Sequence, residues 1–225
     1  MSTVEKLLTM LTAAIGAAAG IWGAYTSHDA SKFKQPFDEH EQLANSFQSQ
    51  ISSAEKRKDP KEVTRIRVIY EMFEESWRDG RKIAQIVSPV ETLRSVKIDE
   101  RELLELKSLM SASSNKTDLR LSPKTLGTAY LVLGEYETAS RHLKIASSTN
   151  DPKALVLQSV AFGELAKNTS TEPQKNDYET LAVDSYRAAI SSPSANAAEL
   201  SGFAKANSDL RAVLSENGVK FEKNL

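Results

Sequence analysis

Cysteine is absent from the 225 residues, which removes disulfides, thiolate catalysis and cysteine-ligated zinc. A surplus of charge is lacking too: 29 Lys and Arg stand against 30 Asp and Glu, so nothing in the overall balance points to nucleic acid. No alternating Val, Ile or Thr run bounded by Asn-Gly or Asp-Gly turns occurs, which argues against a sheet. Glycine-rich phosphate loops, HExxH and Gly-x-Ser-x-Gly are missing, and no acid, base and nucleophile can be named together. The three histidines, His28, His40 and His142, fall in separate segments. His40 lies among Asp38, Glu39 and Glu41, but neighbours one or two positions away diverge on a helix, so a solvated face is expected there rather than a metal site. Asn115-Lys-Thr and Asn168-Thr-Ser match the glycosylation triplet, which matters only in a secreted eukaryotic domain. The expectation is a protein without catalytic residues, metal or cofactor.

Against these absences stands one long uncharged run. Residues 7–25, LLTMLTAAIGAAAGIWGAY, carry no charged side chain. As a helix they would extend about 28 Å, close to the hydrocarbon thickness of a bilayer. Trp22 and Tyr25 close the run, where amphipathic rings favour the headgroup layer. Thr12, Gly16, Gly20 and Ala24 recur at i+4 and share one helix face, the small-xxx-small spacing that permits helices to associate in lipid. Residues 1–25 are therefore expected to be a single membrane anchor, with self-association of the anchor as a further expectation. A cleaved secretory signal, a buried core helix and a helix lying in the membrane surface are the alternatives. Lys32, Lys34 and later Lys56, Arg57 and Lys58 outweigh Lys6, so the positive-inside bias places the large domain in the cytoplasm, with a periplasmic or secreted domain as the alternative.

The remaining residues, 26–225, suffice for one sizeable domain or two small ones. Five of the seven prolines follow Asp or Ser, at Asp59-Pro60, Ser88-Pro89, Ser122-Pro123, Asp151-Pro152 and Ser192-Pro193. An Asp or Ser oxygen accepts from the first-turn N–H groups and Pro suits the first helical position, so each pair predicts a helix start. Ser88 with Glu91 adds a capping-box spacing. The expected fold is all-α. Leu43, Phe47 and Ile51 mark an amphipathic helix over about 36–54, and Val63, Ile66, Tyr70, Phe73, Trp77, Ala84 and Val87 a seam over 60–87, with Gly80 at the one empty position. A hairpin between the two is expected, with Lys56 to Lys61 in its solvated turn; a two-helix coiled coil also fits the seam. Leu103, Leu104, Leu106, Leu109 and Met110 predict a further helix before a polar link from Ser111 to Asp118. Helical hairpins thus fill residues 26–117.

Residues 118–225 carry a recognisable pattern. Leu126-Gly127-x-x-Tyr130, Gly134-x-Tyr136-x-x-Ala139, Leu143 and Ala146 resemble a tetratricopeptide repeat, in which two antiparallel helices cross closely where residues are small. Gly127 and Ala139 would occupy that crossing, Tyr130 and Leu143 the volume beside it, and Gly134 the turn. Pro123 stands where the repeat usually has Trp. A second repeat can be threaded with its first helix over 152–167, Ala161 at the crossing, a long loop around 168–176, and Ala182, Tyr186 and Ala189 on the second helix; Glu164 departs from the expected aromatic. A single closing helix from Pro193 to about Leu214 would then cap the stack.

The resemblance implies a concave face, formed by the first helices, that holds a peptide or helix of a protein partner. Lys124, Thr128, Leu131, Gln158, Phe162 and Leu165 map to it, although Leu131, Phe162 and Leu165 would equally serve as core against the preceding helices. One subtype grips a terminal carboxylate with Lys and two Asn; here Thr128 and Ser159 replace both Asn, so that recognition is not expected. The expected function is a membrane-tethered scaffold or adaptor. The alternative is a membrane-active effector or channel-like oligomer built from the Gly/Ala-rich helix.

Overall fold

The computed structural model describes residues 35–113 and 121–221, and all the regular structure among them is helical. Among the described residues nine helices follow in order: α1 Gln35–Lys56, α2 Pro60–Glu91, α3 Glu100–Ser113, α4 Pro123–Val132, α5 Tyr136–Ser147, α6 Pro152–Asn168, α7 Glu172–Ile190, α8 Ala197–Ala206 and α9 Ser208–Glu216. The all-α expectation holds. No helix among the described residues is long and apolar enough to cross a membrane. The expected anchor, with Thr12, Gly16, Gly20 and Ala24, lies outside the described residues.

The chain divides into two compact units at Glu71 and Met72, inside α2. In the first, α1 and the start of α2 bury Ile51, Ala54 and Ile66 together, with Phe47 and Val63 packed beside them. Phe47 and Tyr70 bring their rings to 5.6 Å. The charged turn is solvated as its composition predicts: Lys58 takes a left-handed φ of 56°, and Asp59 Oδ1 accepts from the Glu62 N–H at 3.1 Å, capping α2. Arg57–Glu62 and Arg67–Glu55 ion pairs decorate this hairpin; both are exposed, and such pairs contribute little.

In the second unit the later part of α2 buries Ile83, Ile86 and Val87 with Leu106 and Met110 of α3 and with Leu121 and Ala129. Gly80, the gap in the α2 seam, faces Leu121: a Cβ there would stand 3.6 Å from Leu121 Cδ2. The rest is a stack of helix pairs. Gly127 meets Leu143 and Tyr130 stacks on His142 at 5.5 Å, so partners rise along α4 as they fall along α5, which makes the two antiparallel. Ser159 Oγ donates to the Ala182 carbonyl at 2.6 Å and Phe162 stacks on Tyr178 at 6.4 Å, giving α6 and α7 the same relation. The neighbouring pairs join through α5 and α6, and α8 and α9 cover α6 and α7. Leu143, Leu157, Leu200, Leu210 and Leu214, all fully buried, run through the shared core.

The sequence reading needs four corrections. Pro89 starts no helix; it sits in the last turn of α2, where the bond lost for want of its N–H is one of the last before the helix ends. The capping box occurs instead at the start of α3, where Asp99 Oδ1 accepts from Glu102 N–H at 2.7 Å and Glu102 Oε2 from Asp99 N–H at 3.4 Å. Residues 168–176 are no long loop: α6 and α7 absorb them, leaving only 169–171 between the helices. The closing element is two helices, not one. Ser192-Pro193 lies in a turn, Asn196 Oδ1 caps α8 by accepting from Glu199 N–H at 3.2 Å, and Asn207 Oδ1 caps α9 by accepting from Leu210 N–H at 2.8 Å. Asn serves as well as Ser at such a position.

Two substitutions check this packing. A Cβ at Gly127 would lie 2.6 Å from Leu143 Cγ and 3.0 Å from the Leu143 backbone nitrogen. Gly127→Ala is expected to lower stability by about 1–3 kcal/mol in urea unfolding despite alanine's better helix propensity. Ser201 Oγ is buried without a hydrogen-bond partner among the described residues. Ser201→Ala is expected to leave stability unchanged or raise it by up to about 1 kcal/mol, because the hydroxyl was desolvated without return.

Candidate partner-binding face

The six residues expected to line a partner groove meet different fates. Thr128 is fully buried, its hydroxyl donating to the Lys124 carbonyl at 2.8 Å. Leu131 belongs to the main core. Gln158 is buried, with Ser147 Oγ donating to its Oε1 at 3.3 Å. Phe162 and Leu165 on α6 remain half-exposed, and Lys124 keeps about a fifth of its side chain accessible. Ser159, also at a position of the carboxylate grip, is spent on the α6–α7 contact. Lys124, Phe162 and Leu165 are thus the accessible members of the set.

A polar structure at one end of α4 and α6 explains where Lys124 points. Ser122 Oγ caps α4 by accepting from Thr125 N–H at 3.0 Å, and Asp151 Oδ1 caps α6 by accepting from Lys153 N–H at 2.9 Å. Pro follows each cap and Lys follows each Pro. Lys124 Nζ then reaches Asp151 Oδ2 at 2.8 Å, and Lys153 Nζ reaches Glu199 Oε1, in the first turn of α8, at 2.6 Å. The repeated cap-Pro-Lys unit thus places a lysine in the first turn of one helix against a carboxylate in the cap or first turn of the next.

The end of α2 joins this row. Glu91, only 9% exposed, takes a hydrogen bond from Thr125 Oγ1 at 3.2 Å and lies 3.9 Å from Lys124 Nζ. Burial holds its carboxyl above the ordinary range; Lys124 and the Thr125 hydroxyl pull the other way and do not offset it. Lys153 Nζ donates to the Thr92 carbonyl at 3.4 Å. Leu93 N–H bonds to the Val90 carbonyl at 3.0 Å and Arg94 N–H to the Pro89 carbonyl at 2.8 Å, the two bonds of a Schellman ending. Its left-handed residue is a leucine, with φ 61°, where glycine is usual. That conformation costs about 1–2 kcal/mol for a residue with a Cβ. Burial of the Leu93 side chain in the main core, beside Val90, compensates.

A second polar cluster joins α5, α6 and α9. Lys167 Nζ pairs with Asp209 Oδ2 at 3.0 Å. Glu164 has its carboxyl pushed up first by burial and then by the Asp209 charge beside it. The Tyr136 phenol is pushed up by burial and then by Glu164. Glu164 was legible only as a departure from the repeat pattern; its polar role depends on Asp209, more than forty residues on, which no local spacing announces. His142, stacked on Tyr130, is held below the usual histidine range by burial and by Arg141. No group of His, Asp and Glu suited to a metal occurs among the described residues.

Comparison with protein-family models, curated proteins and solved structures returns no match to this chain.

The raised Glu91 pKa sets a pH dependence. The folded protein holds this proton more tightly than the unfolded chain, so the contribution of Glu91 to stability is most favourable below the ordinary value of 4.5 and is lost as pH rises through the raised value. Glu91→Gln fixes the neutral form. It is expected to unfold at a higher temperature than the parent at pH 7, with the advantage vanishing below about pH 4.5; equal midpoints at both pH values would contradict a desolvated carboxylate.

Proposed function

We propose that this chain is a membrane-tethered helical-repeat adaptor, in which residues 7–25 anchor the protein and the helix pairs from α4 onward hold a protein partner. The observation that carries the reading is the side-by-side arrangement of α4 and α6, their first turns bridged by Lys124 and Asp151 at 2.8 Å, with the half-exposed Phe162 and Leu165 further along α6. The tetratricopeptide resemblance supports it: Gly127 and Leu143 meet closely, and Ala139 and Ala161 are fully buried. A face with a few accessible apolar side chains and one lysine suits a peptide or short helix with micromolar, exchangeable affinity. Tethering raises the encounter rate with partners held at the same bilayer. The lysines that follow the anchor support a cytoplasmic side for the domain, with a periplasmic or secreted domain as the alternative.

The test uses the full chain in detergent as bait, with Phe162→Ala/Leu165→Ser and Leu181→Ser as paired variants. Leu181 is an exposed apolar residue on α7, 43% accessible, and is not among the six residues of the expected groove. A partner of this face is expected to be lost from the first variant by tenfold or more and kept by the second. Equal capture by both, or recovery of the native chain in the soluble fraction of lysed cells without detergent, would overturn the reading.

A further inference from the structure

We infer that the end of α2 and the turn after it, residues 90–98, form a built-in ligand strapped over the first turns of α4 and α6, and that it competes with a partner segment of the same chemistry: an acidic residue between aliphatic ones. The inference rests on the adaptor reading and gives its partner a chemical description. Three contacts fix the strap, and each uses a different kind of group. Glu91 accepts from Thr125 Oγ1 and faces Lys124. The Thr92 carbonyl accepts from Lys153 Nζ. Val90 and Leu93 enter the core that also holds Leu131 and Leu157, with Val96 and Ile98 packed against it. A carboxylate on Lys124, a backbone carbonyl on Lys153 and two flanking aliphatics make one recognition pattern, Val-Glu-x-Leu, presented at a helix end.

The strap also carries two local costs, which burial of Val90 and Leu93 offsets. Its carboxylate is buried with one hydroxyl donor and a lysine 3.9 Å away that also serves Asp151 at 2.8 Å, so desolvation is only partly offset. Its leucine holds a left-handed backbone that glycine would hold without strain. A partner that supplies the same groups without that strain would displace it, and a state with the strap lifted would exist in small population before the partner arrives. The chain leaves α2 at Glu91 and crosses the first turns of α4 and α6.

The probe is a labelled peptide of residues 88–98, SPVETLRSVKI, added to the full-length protein. Glu91→Lys sets a cation against Lys124 and weakens the strap. The peptide is expected to bind that variant at least tenfold more tightly than the native chain, and to lose binding when Lys124→Ala is added. Equal binding to variant and native chain, or to neither, would overturn the inference. Because Glu91→Lys buries a second cation beside Lys124 and so tests folding as well as binding, hydrogen exchange on the native chain is a second readout: amides of 92–98 are expected to exchange at least tenfold faster than those of α6, and equal protection would overturn the strap. A partner captured through Phe162 and Leu165 while the peptide binds neither form leaves the adaptor standing and removes only the strap; loss of both outcomes removes both.

Discussion

The close approach of α4 and α5 at Gly127 is the constraint from which the second unit is built. A Cβ would overlap Leu143 at 2.6 Å, so the helices lie nearer than side chains normally permit, and the space beside the crossing is filled by Leu143 from α5 and by Ala139, which leaves no side chain to compete. Gly134, at φ 81°, makes the tight turn that returns the chain in register. Once that pair is set, α6 has a defined surface to pack on, and its own crossing with α7 repeats the logic with Ser159 against Ala182. The hydroxyl of Ser159 is tolerated inside because it reaches the Ala182 carbonyl at 2.6 Å, satisfying a group that would otherwise be costly to bury.

Much of this was legible because its causes are local. Asp59, Ser122 and Asp151 cap helices as their sequences predict, since a cap needs only a side-chain oxygen and an N–H two or three residues on. Ser88-Pro89 and Ser192-Pro193 carry the same signal and fail, for reasons that lie outside the dipeptide. Pro89 continues a helix whose apolar seam, Ile83, Ile86, Val87 and Val90, is already committed to burial; tertiary packing outweighs the lost backbone bond. Pro193 sits in a turn that the Ala195 N–H closes on the Ser192 carbonyl at 3.0 Å, and the true starts fall to Asn196 and Asn207. The two closing helices read as one because Leu200, Phe203, Ala204, Leu210 and Val213 keep helical spacing across the break at Asn207. Periodicity records which side chains face inward, and it is blind to one residue leaving helical geometry.

The candidate face was harder to read, and for a different reason. Lys124, Phe162 and Leu165 were identified from their place in a repeat pattern and are accessible. Thr128, Leu131 and Gln158 came from the same pattern and are buried, because burial depends on what lies above a helix as well as on its own sequence. Nothing near Glu91 in the chain announces Lys124 or Thr125, some thirty residues away. Its role as the closing residue of a Ser88-x-x-Glu91 capping box was plausible locally, and it was displaced by a contact that only the fold creates.

The charges at this end of the stack show how a buried acid is tolerated at all. Lys124 and Lys153 sit in the first turns of α4 and α6, where the helix dipole already presents positive potential and cations are disfavoured. Asp151 and Glu199 answer them at 2.8 and 2.6 Å, but Asp151 also serves as the cap of α6, so its charge is shared between a lysine and two backbone N–H groups. The potential around Lys124 therefore remains positive enough to draw in a second carboxylate, that of Glu91. The attraction is real yet smaller than the cost of removing Glu91 from water, which is why its pKa is raised and not lowered. Hydrophobic burial of Val90 and Leu93 makes up the difference. A carboxylate that electrostatics favours in sign but not in sum, carried on a strained backbone, is held in place by its neighbours and not by its own interactions. Its position is thus set by the same apolar contacts that any aliphatic competitor for the face would have to replace.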